Sequence, residues 1–397
     1  MRIAYVAPFD LKQPAGHAAH VLGTLRELVR RGEDVTLYAI DCPDDVSASL
    51  QVRRVPSLDR AGVKSLTFGL GAAALLGRNL WELPSDLVYT RYFKSVIAPM
   101  AVAKSFGCPI IVEVNSSLSN ERRVSGVVGI ARAVERAEEN AVFGLAAGVV
   151  AVTQGVKREV LRRHPNRRLA VSVVENGVDT SLYRPRDMLA CRQELGLDGA
   201  VKYAVFTGAL QAWQGITDLV RAVALARCQE PSLHLLIVGD GPERASAVSL
   251  IAELGLSRHV TLTGYVSELA VAKYLSASDV CVAPYNTNAV DDAESDKKRY
   301  GAPMPRSPLK VLSYMACGRA VIATHLAEAG AYLAEADMGL AVPPEDPIAL
   351  AEAIVALLRD PARARHLGDR AREAAERFHS WEVAVSAYLE LARTVIR

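Results

Sequence analysis

Ser307-Pro308-Leu309-Lys310-Val311-Leu312-Ser313-Tyr314-Met315-Ala316-Cys317-Gly318-Arg319-Ala320-Val321-Ile322-Ala323 is the stretch from which the fold is read. Pro308 suits the first position of a helix, where its missing N–H costs nothing, and Gly318 suits the close of one. The apolar run Val321 to Ala323 is short and uncharged, as a strand buried on both faces requires. A helix feeding such a strand is half of a βα repeat, and the same alternation extends in both directions. Toward the N-terminus, strands are predicted at Val280 to Ala283, Val260 to Leu262, Leu233 to Val238 and Tyr203 to Phe206; beyond the stretch, Leu340 to Val342 is the next. Further back lie Val171 to Val174, Val149 to Val152, Ile110 to Val114, Leu87 to Tyr89, Val35 to Ala39 and Ile3 to Ala7. Amphipathic stretches between them, including His17 to Arg31, Gly126 to Ala147 and Gly155 to Arg163, are predicted helices.

Repeated βα units make parallel sheets covered on both faces, so the fold class is α/β, with two Rossmann-like doubly wound domains in tandem. A chain of 397 residues suits that division. Turn residues Asn176, Gly177, Asp179 and Pro185 precede a short helix around Met188 to Leu195, which sets the boundary at 185/186. The domains are therefore 1–185 and 186–378. Ligands of open α/β sheets bind at the carboxyl ends of the strands, so a cleft between the domains is the expected place for chemistry.

Composition narrows the function. Half of the residues are hydrophobic and 23% are charged, which excludes a disordered or collagen-like chain. The formal net charge is +2, so a nucleic-acid-binding role is not expected. The charge is uneven: residues 1–185 carry +6 and the remainder −4. Six cysteines, at 42, 108, 191, 228, 281 and 317, show no CxxC or Cys/His ligand spacing, so neither zinc nor a disulfide framework is indicated. Reduced thiols and the lack of a leader-like apolar run fit a cytoplasmic protein. Leu66 to Gly77 is uncharged and apolar, bounded by Lys64 and Arg78. A buried or acceptor-lining helix is the preferred reading, with contact to a membrane surface as its alternative.

Three strand ends carry glycines that precede a helix: Gly16, the segment Gly208 to Gly215, and Gly239-Asp240-Gly241-Pro242. Such turns let backbone N–H groups and a helix dipole face an anion, although one alone can simply connect strand to helix. Lys310 in the first turn of its helix opposes the macrodipole, a conflict that a bound anion relieves. Ordinary solvation of that lysine is the other reading. His20, one turn beyond Gly16, is either a cleft residue or a satisfied core histidine.

With these motifs in order along nearly its whole length, the chain resembles the GT-B glycosyltransferases, specifically the family-4-like group of retaining enzymes that use nucleotide-diphosphate sugars. The resemblance also rests on Glu175-Asn176-Gly177-Val178-Asp179, Thr263-Gly264-Tyr265-Val266, Ser278-Asp279-Val280 and Phe378-His379-Ser380-Trp381. It implies that 379–397 is a terminal helix crossing back to the N-terminal domain. It further implies a donor, UDP-linked by preference, bound by the second domain. The nucleobase is expected at Gly264 to Val266, the diphosphate at Gly208, Ala209, Trp213, Gln214 and Gly215 with Leu309 and Lys310, and the sugar at Gly239, Gly241 and Pro242. Gly16 is also assigned to the donor. The acceptor is expected in the first domain at His20, Glu113, Asn115 and Glu121, where Glu113-Val114-Asn115 resembles the strand end of the Ser-Pro-x-Lys subgroup. Catalytic roles fall on Lys310, Asn115 and Glu113. The nucleotide sugar is a co-substrate, and the resemblance implies no cofactor and no catalytic metal, Asp291-Asp292 notwithstanding.

The sequence also departs from that family. Its paired glutamates, eight positions apart, are here Pro305 and Ser313, and the diphosphate loop has Ala209 and Gln214 where arginine and lysine are common. Ser313 removes a carboxylate expected to grip the ribose hydroxyls, for which Asp292 or Glu294 are candidate replacements. Lys310, with Arg306 or Lys298, would carry more of the phosphate charge. Two other functional classes stay open: a catalytically weak binding subunit, and a nucleotide-sugar epimerase or hydrolase on the same scaffold. The expected chemistry is transfer of a sugar to a hydroxyl group of a natural product or cell-envelope glycan.

Overall fold

The computed structural model describes residues 1–13, 16–58, 63–93, 95–115, 130–165, 169–286, 309–325 and 328–396. It divides into two compact units, one of residues 1–177 with 381–397 and one of residues 178–380. Glu121, Asp291, Asp292, Glu294, Lys298, Pro305 and Arg306 lie outside the described residues.

The first unit is built on seven parallel strands: β1 (Arg2–Val6), β2 (Asp34–Ala39), β3 (Gln51–Arg54), β4 (Leu87–Arg91), β5 (Ile110–Val114), β6 (Gly148–Ala151) and β7 (Ala170–Val173). Their order is β3-β2-β1-β4-β5-β6-β7. The second has β8 (Lys202–Thr207), β9 (Leu233–Val238), β10 (Val260–Gly264), β11 (Val280–Ala283), β12 (Ala320–Thr324) and β13 (Gly339–Val342), ordered β10-β9-β8-β11-β12-β13. Both are doubly wound, with the order reversing beside β1 and beside β8. Every strand that the sequence predicts is present. The one it misses, β3, is a short edge strand with Arg53 and Arg54 exposed, and charge without alternation hides such a strand while protecting the edge.

In the first unit Ile3, Tyr5, Leu37, Tyr89 and Ile111 pack with Leu25 and Leu28 of the helix Gly16–Arg30. The helix Trp381–Ile396 completes the same core through Trp381, Val385, Tyr388 and Leu389. Its Trp381 indole lies so close to Gly23 and Gly177 that a Cβ there would come within 2.2 and 2.7 Å of it. The helix Lys64–Glu82 covers Leu66 to Gly77 and buries Phe68, Ala72 and Leu76. Leu66 and Leu70 are exposed, so only one face of the expected buried or acceptor-lining helix is buried: its period is that of a helix with two apolar faces. Among the described residues no helix is long and apolar enough to cross a membrane.

Candidate active site

In the second unit the loops after β8 and β9 are zipped together. Gly208 N donates to Val238 O (3.0 Å), Leu210 N to Asp240 O (2.9 Å) and Glu243 N to Leu210 O (3.0 Å). This closeness depends on Gly239, whose φ is 142° and where a Cβ would lie 2.1 Å from Gly208 O. Gly215, at φ 67°, does the same on the other side, since a Cβ there would fall 1.7 Å from Pro284 O, just after β11. Between them runs a short 3₁₀ turn, Ala212–Gln214, and the helix Ile216–Arg227 follows. Trp213 stacks on Tyr285, centroids 5.7 Å apart, and Asn286 N donates to Trp213 O at 3.1 Å. The loops therefore meet at the carboxyl ends of β8 and β11, the point where strand order reverses.

Lys310 enters this place from the first turn of the helix Leu309–Ala316. Its Nζ lies 3.7 Å from the centroid of Phe206 and 5.3 Å from that of Tyr285, and it donates to Gln214 Oε1. A Cβ on Gly208 would be 3.2 Å from Nζ, so the ammonium lies directly against that backbone. Among the described residues no carboxylate is within ion-pair distance of Lys310. Burial holds its ammonium well below the usual lysine range. Aromatic faces and one amide oxygen leave most of this half-buried charge uncompensated, which suits a site for an anion.

The helix itself is fastened by Tyr314, which is fully buried. Its hydroxyl accepts from Thr207 N at 2.8 Å and donates to Val282 O at 3.4 Å, tying the helix to the ends of β8 and β11. Ser313 Oγ donates to Leu309 O at 3.2 Å and lies near the Tyr183 phenol, whose ionisation burial disfavours. At the next strand end Gly239 bridges Gly264, bringing exposed Tyr265 and half-buried Val266 to the rim of the same loops. The structure thus brings together Gly208, Ala209, Trp213, Gln214, Gly215, Gly239, Gly241 and Lys310, with Leu309 and Ser313 on one helix and Pro242 exposed nearby. Ala209 contributes no charge. The sequence reading missed Phe206, Tyr285 and Tyr314; their aromatic character at strand ends and one turn from Lys310 was the available signal.

The first unit places a charge in the corresponding part of its sheet and treats it differently. Glu113 on β5 is fully buried. Its Oε1 is 2.8 Å from His20 Nε2, accepts from Asn115 Nδ2 and lies 3.7 Å from Arg91 Nε; its Oε2 accepts from the Tyr89 hydroxyl at 2.5 Å. Burial opposes ionisation, but His20, Arg91 and the Tyr89 hydroxyl outweigh it and bring the carboxyl down to about 2. His20 is buried as well, edge-on to Trp381 with centroids 5.3 Å apart. Direct contact of Glu113 and His20 with an acceptor is therefore corrected: their polar atoms face each other inside the unit, and Asn115, half-exposed at the strand end, is what they hold in place. Near it stand residues the sequence reading passed over. Arg91 lies over Phe9 (5.1 Å to the centroid) and reaches His17 O at 3.5 Å, and Phe9 packs on His17 where the helix Gly16–Arg30 begins. Gly16 itself is exposed at that helix start. Among the described residues no group of His, Cys, Asp and Glu is arranged to hold a metal.

Residues 14–182 match the model of the family Glycosyltransferase Family 4, and residues 201–360 that of Glycosyl transferases group 1. The D-inositol 3-phosphate glycosyltransferase of Rhodococcus opacus is 27% identical over 95% of this chain and 85% of its own. The N-acetyl-alpha-D-glucosaminyl L-malate synthase of Bacillus anthracis is 28% identical over 57% of this chain and 54% of its own. Among solved structures, sucrose-phosphate synthase from Thermosynechococcus elongatus superposes with a TM-score of 0.76 at 23% identity, covering 99% and 98% of the two chains. The Anabaena protein HepE, solved in complex with UDP-glucose, superposes with a TM-score of 0.72 at 18% identity over 99% of each. These structural likenesses establish the two-domain GT-B architecture.

Proposed function

We propose that this chain, whose two halves match the models of Glycosyltransferase Family 4 and Glycosyl transferases group 1, moves a sugar from a UDP-linked donor to a hydroxyl group of an anionic acceptor, with retention at the anomeric carbon. The observation that carries this reading is Lys310, a half-buried cation facing backbone and aromatic rings with no carboxylate beside it among the described residues. In this reading the donor's diphosphate lies against Lys310 and the loops of Gly208 and Gly239. The bond from the anomeric carbon to the diphosphate oxygen breaks, and Lys310 with the helix N-terminus balances the charge that develops there. The acceptor oxygen bonds the same face of that carbon, and its proton passes to a phosphate oxygen. No enzyme nucleophile is needed. Tyr265 and Val266 are assigned to the base and Ser313 with Tyr183 to the ribose.

The acceptor is assigned to the first unit. Arg91 beside the start of the helix Gly16–Arg30 supports an anionic group, since both favour negative charge. Two relatives are named for phosphate- or carboxylate-bearing acceptors, which agrees with that choice. Asn115 would hydrogen-bond a hydroxyl, oriented by Glu113.

Release of nucleotide diphosphate from a panel of donor sugars, with and without hydroxylated phosphates and carboxylates, tests the proposal. UDP release that rises with an anionic acceptor and yields a product of unchanged anomeric configuration by NMR is expected. Nucleotide binding without release from any donor would leave a binding subunit, and release or epimerisation indifferent to every acceptor would leave a hydrolase or epimerase.

A further inference from the structure

The helix Lys64–Glu82 turns one apolar face inward and another outward. Phe68, Ala72, Leu76 and Leu80 are buried, whereas Leu66 is 51%, Leu70 57% and Trp81 81% exposed. At 3.6 residues per turn, those three and exposed Ala74 fall within an arc of about 80° on the outer face. The stripe continues at both ends. Leu58, also exposed, is held beside it by its N–H, which donates to Thr67 Oγ1 at 3.1 Å. At the other end stand Leu83 and Phe106, the latter closing the helix Ile97–Ser105. That helix runs alongside: a Cβ on Gly69 would meet Ser95, and one on Gly77 would meet Val102.

Exposed apolar side chains scattered singly need no explanation, but a continuous stripe does. The charges around it select its partner. The two helices carry three exposed cations, Lys64, Arg78 and Lys104, and one carboxylate, Glu82, which is already paired with Arg78 Nε at 3.0 Å. A second copy laid against the stripe would bring the same cations face to face. An anionic surface with an apolar layer beneath it satisfies both features, and a tryptophan at the edge suits such a boundary.

We propose that the outer face of Lys64–Glu82, with Leu58, Leu83 and Phe106, rests on an anionic lipid surface, its cations among the headgroups and its apolar side chains just beneath them. The inference stands apart from the assignment of donor and acceptor. Its test is flotation of the full chain at low salt with vesicles of phosphatidylethanolamine and phosphatidylglycerol, against vesicles of phosphatidylcholine alone. The protein is expected to float with the first and not the second, with a blue-shifted tryptophan emission that Trp81→Phe removes. Leu66→Ser, Leu70→Ser and Trp81→Ser combined should lower the bound fraction by at least about tenfold, with an unchanged circular dichroism spectrum because those side chains face away from the core. Wild-type protein that stays with neither vesicle, or a triple variant that floats equally well, would overturn the proposal. So would sedimentation in which the substitutions turn a dimer into a monomer.

Discussion

Glu113, fully buried, and Lys310, half-buried, both place a charge near the carboxyl ends of a doubly wound sheet, and they are compensated in opposite ways. Glu113 has a histidine, an arginine, a phenol and an amide around its two oxygens. Lys310 has a glutamine oxygen and two rings. Compensation from within makes the first charge part of the fold, whereas the second is held ready for something that the chain does not supply. The same physics, opposite in completeness, separates a group that positions from a group that binds.

The largest effect expected from this contrast is on turnover. Lys310→Ala should lower kcat with a nucleotide sugar by about 10² to 10³-fold, because one preorganised charge at the leaving group is lost. Its melting temperature should stay level or rise, since a half-buried ammonium with no carboxylate beside it among the described residues is removed. Unchanged nucleotide affinity and turnover would end the assignment of Lys310. Glu113→Gln should do the reverse, destabilising by about 3 kcal/mol while leaving UDP affinity within twofold or so. Its acid limb should flatten too. Glu113 is lowered from 4.5 to about 2, so its contribution is full above the unfolded value and lost as pH falls through that window. Denaturant titrations of both proteins across that range measure the difference.

A third outcome concerns protons. Burial holds Lys310 below the usual lysine range, and a diphosphate favours its charged form, so nucleotide binding should take up a proton. Affinity should weaken as pH rises, approaching about tenfold per unit above the free pKa. Calorimetry in buffers of different ionisation enthalpy reads the uptake directly, and Lys310→Ala should abolish it. The smallest change is expected from Ser313→Glu. A carboxylate in place of this hydroxyl, which now donates to Leu309 O, should tighten nucleotide binding by about tenfold through a charge-assisted bond, less its desolvation. Weaker binding would mean that the pocket is built around serine and Tyr183.

The sheets were legible because buried parallel strands announce themselves as short Val/Ile/Leu runs, and β3 was not because an edge strand of charged residues has no such pattern. The Gly208 to Gly215 and Gly239 to Pro242 loops could be found in the sequence, since only glycine tolerates their backbone approach. What surrounds Lys310 could not. Phe206 and Tyr285 belong to different strand ends, and only the reversal of strand order places both against one ammonium. In the same way, Glu113-Val114-Asn115 identifies a strand end, but whether its carboxylate faces solvent or His20 is decided by packing from the helix Gly16–Arg30 and Trp381.

The return of Trp381–Ile396 to the first unit also sets a timetable for synthesis. Trp381, whose ring fills the space left by Gly23 and Gly177, is made about 200 residues after Gly177 leaves the ribosome's catalytic centre, an interval of roughly 10 to 40 seconds at ordinary elongation rates. Through that interval the nascent first unit lacks Trp381, Val385, Tyr388 and Leu389 and must keep Ile3, Tyr5 and Tyr89 from other partners. The second unit, continuous in sequence, can close before it. The unit begun first is thus the one finished last, and a nascent chain stalled before residue 381 should present chaperones with its opening half unsealed.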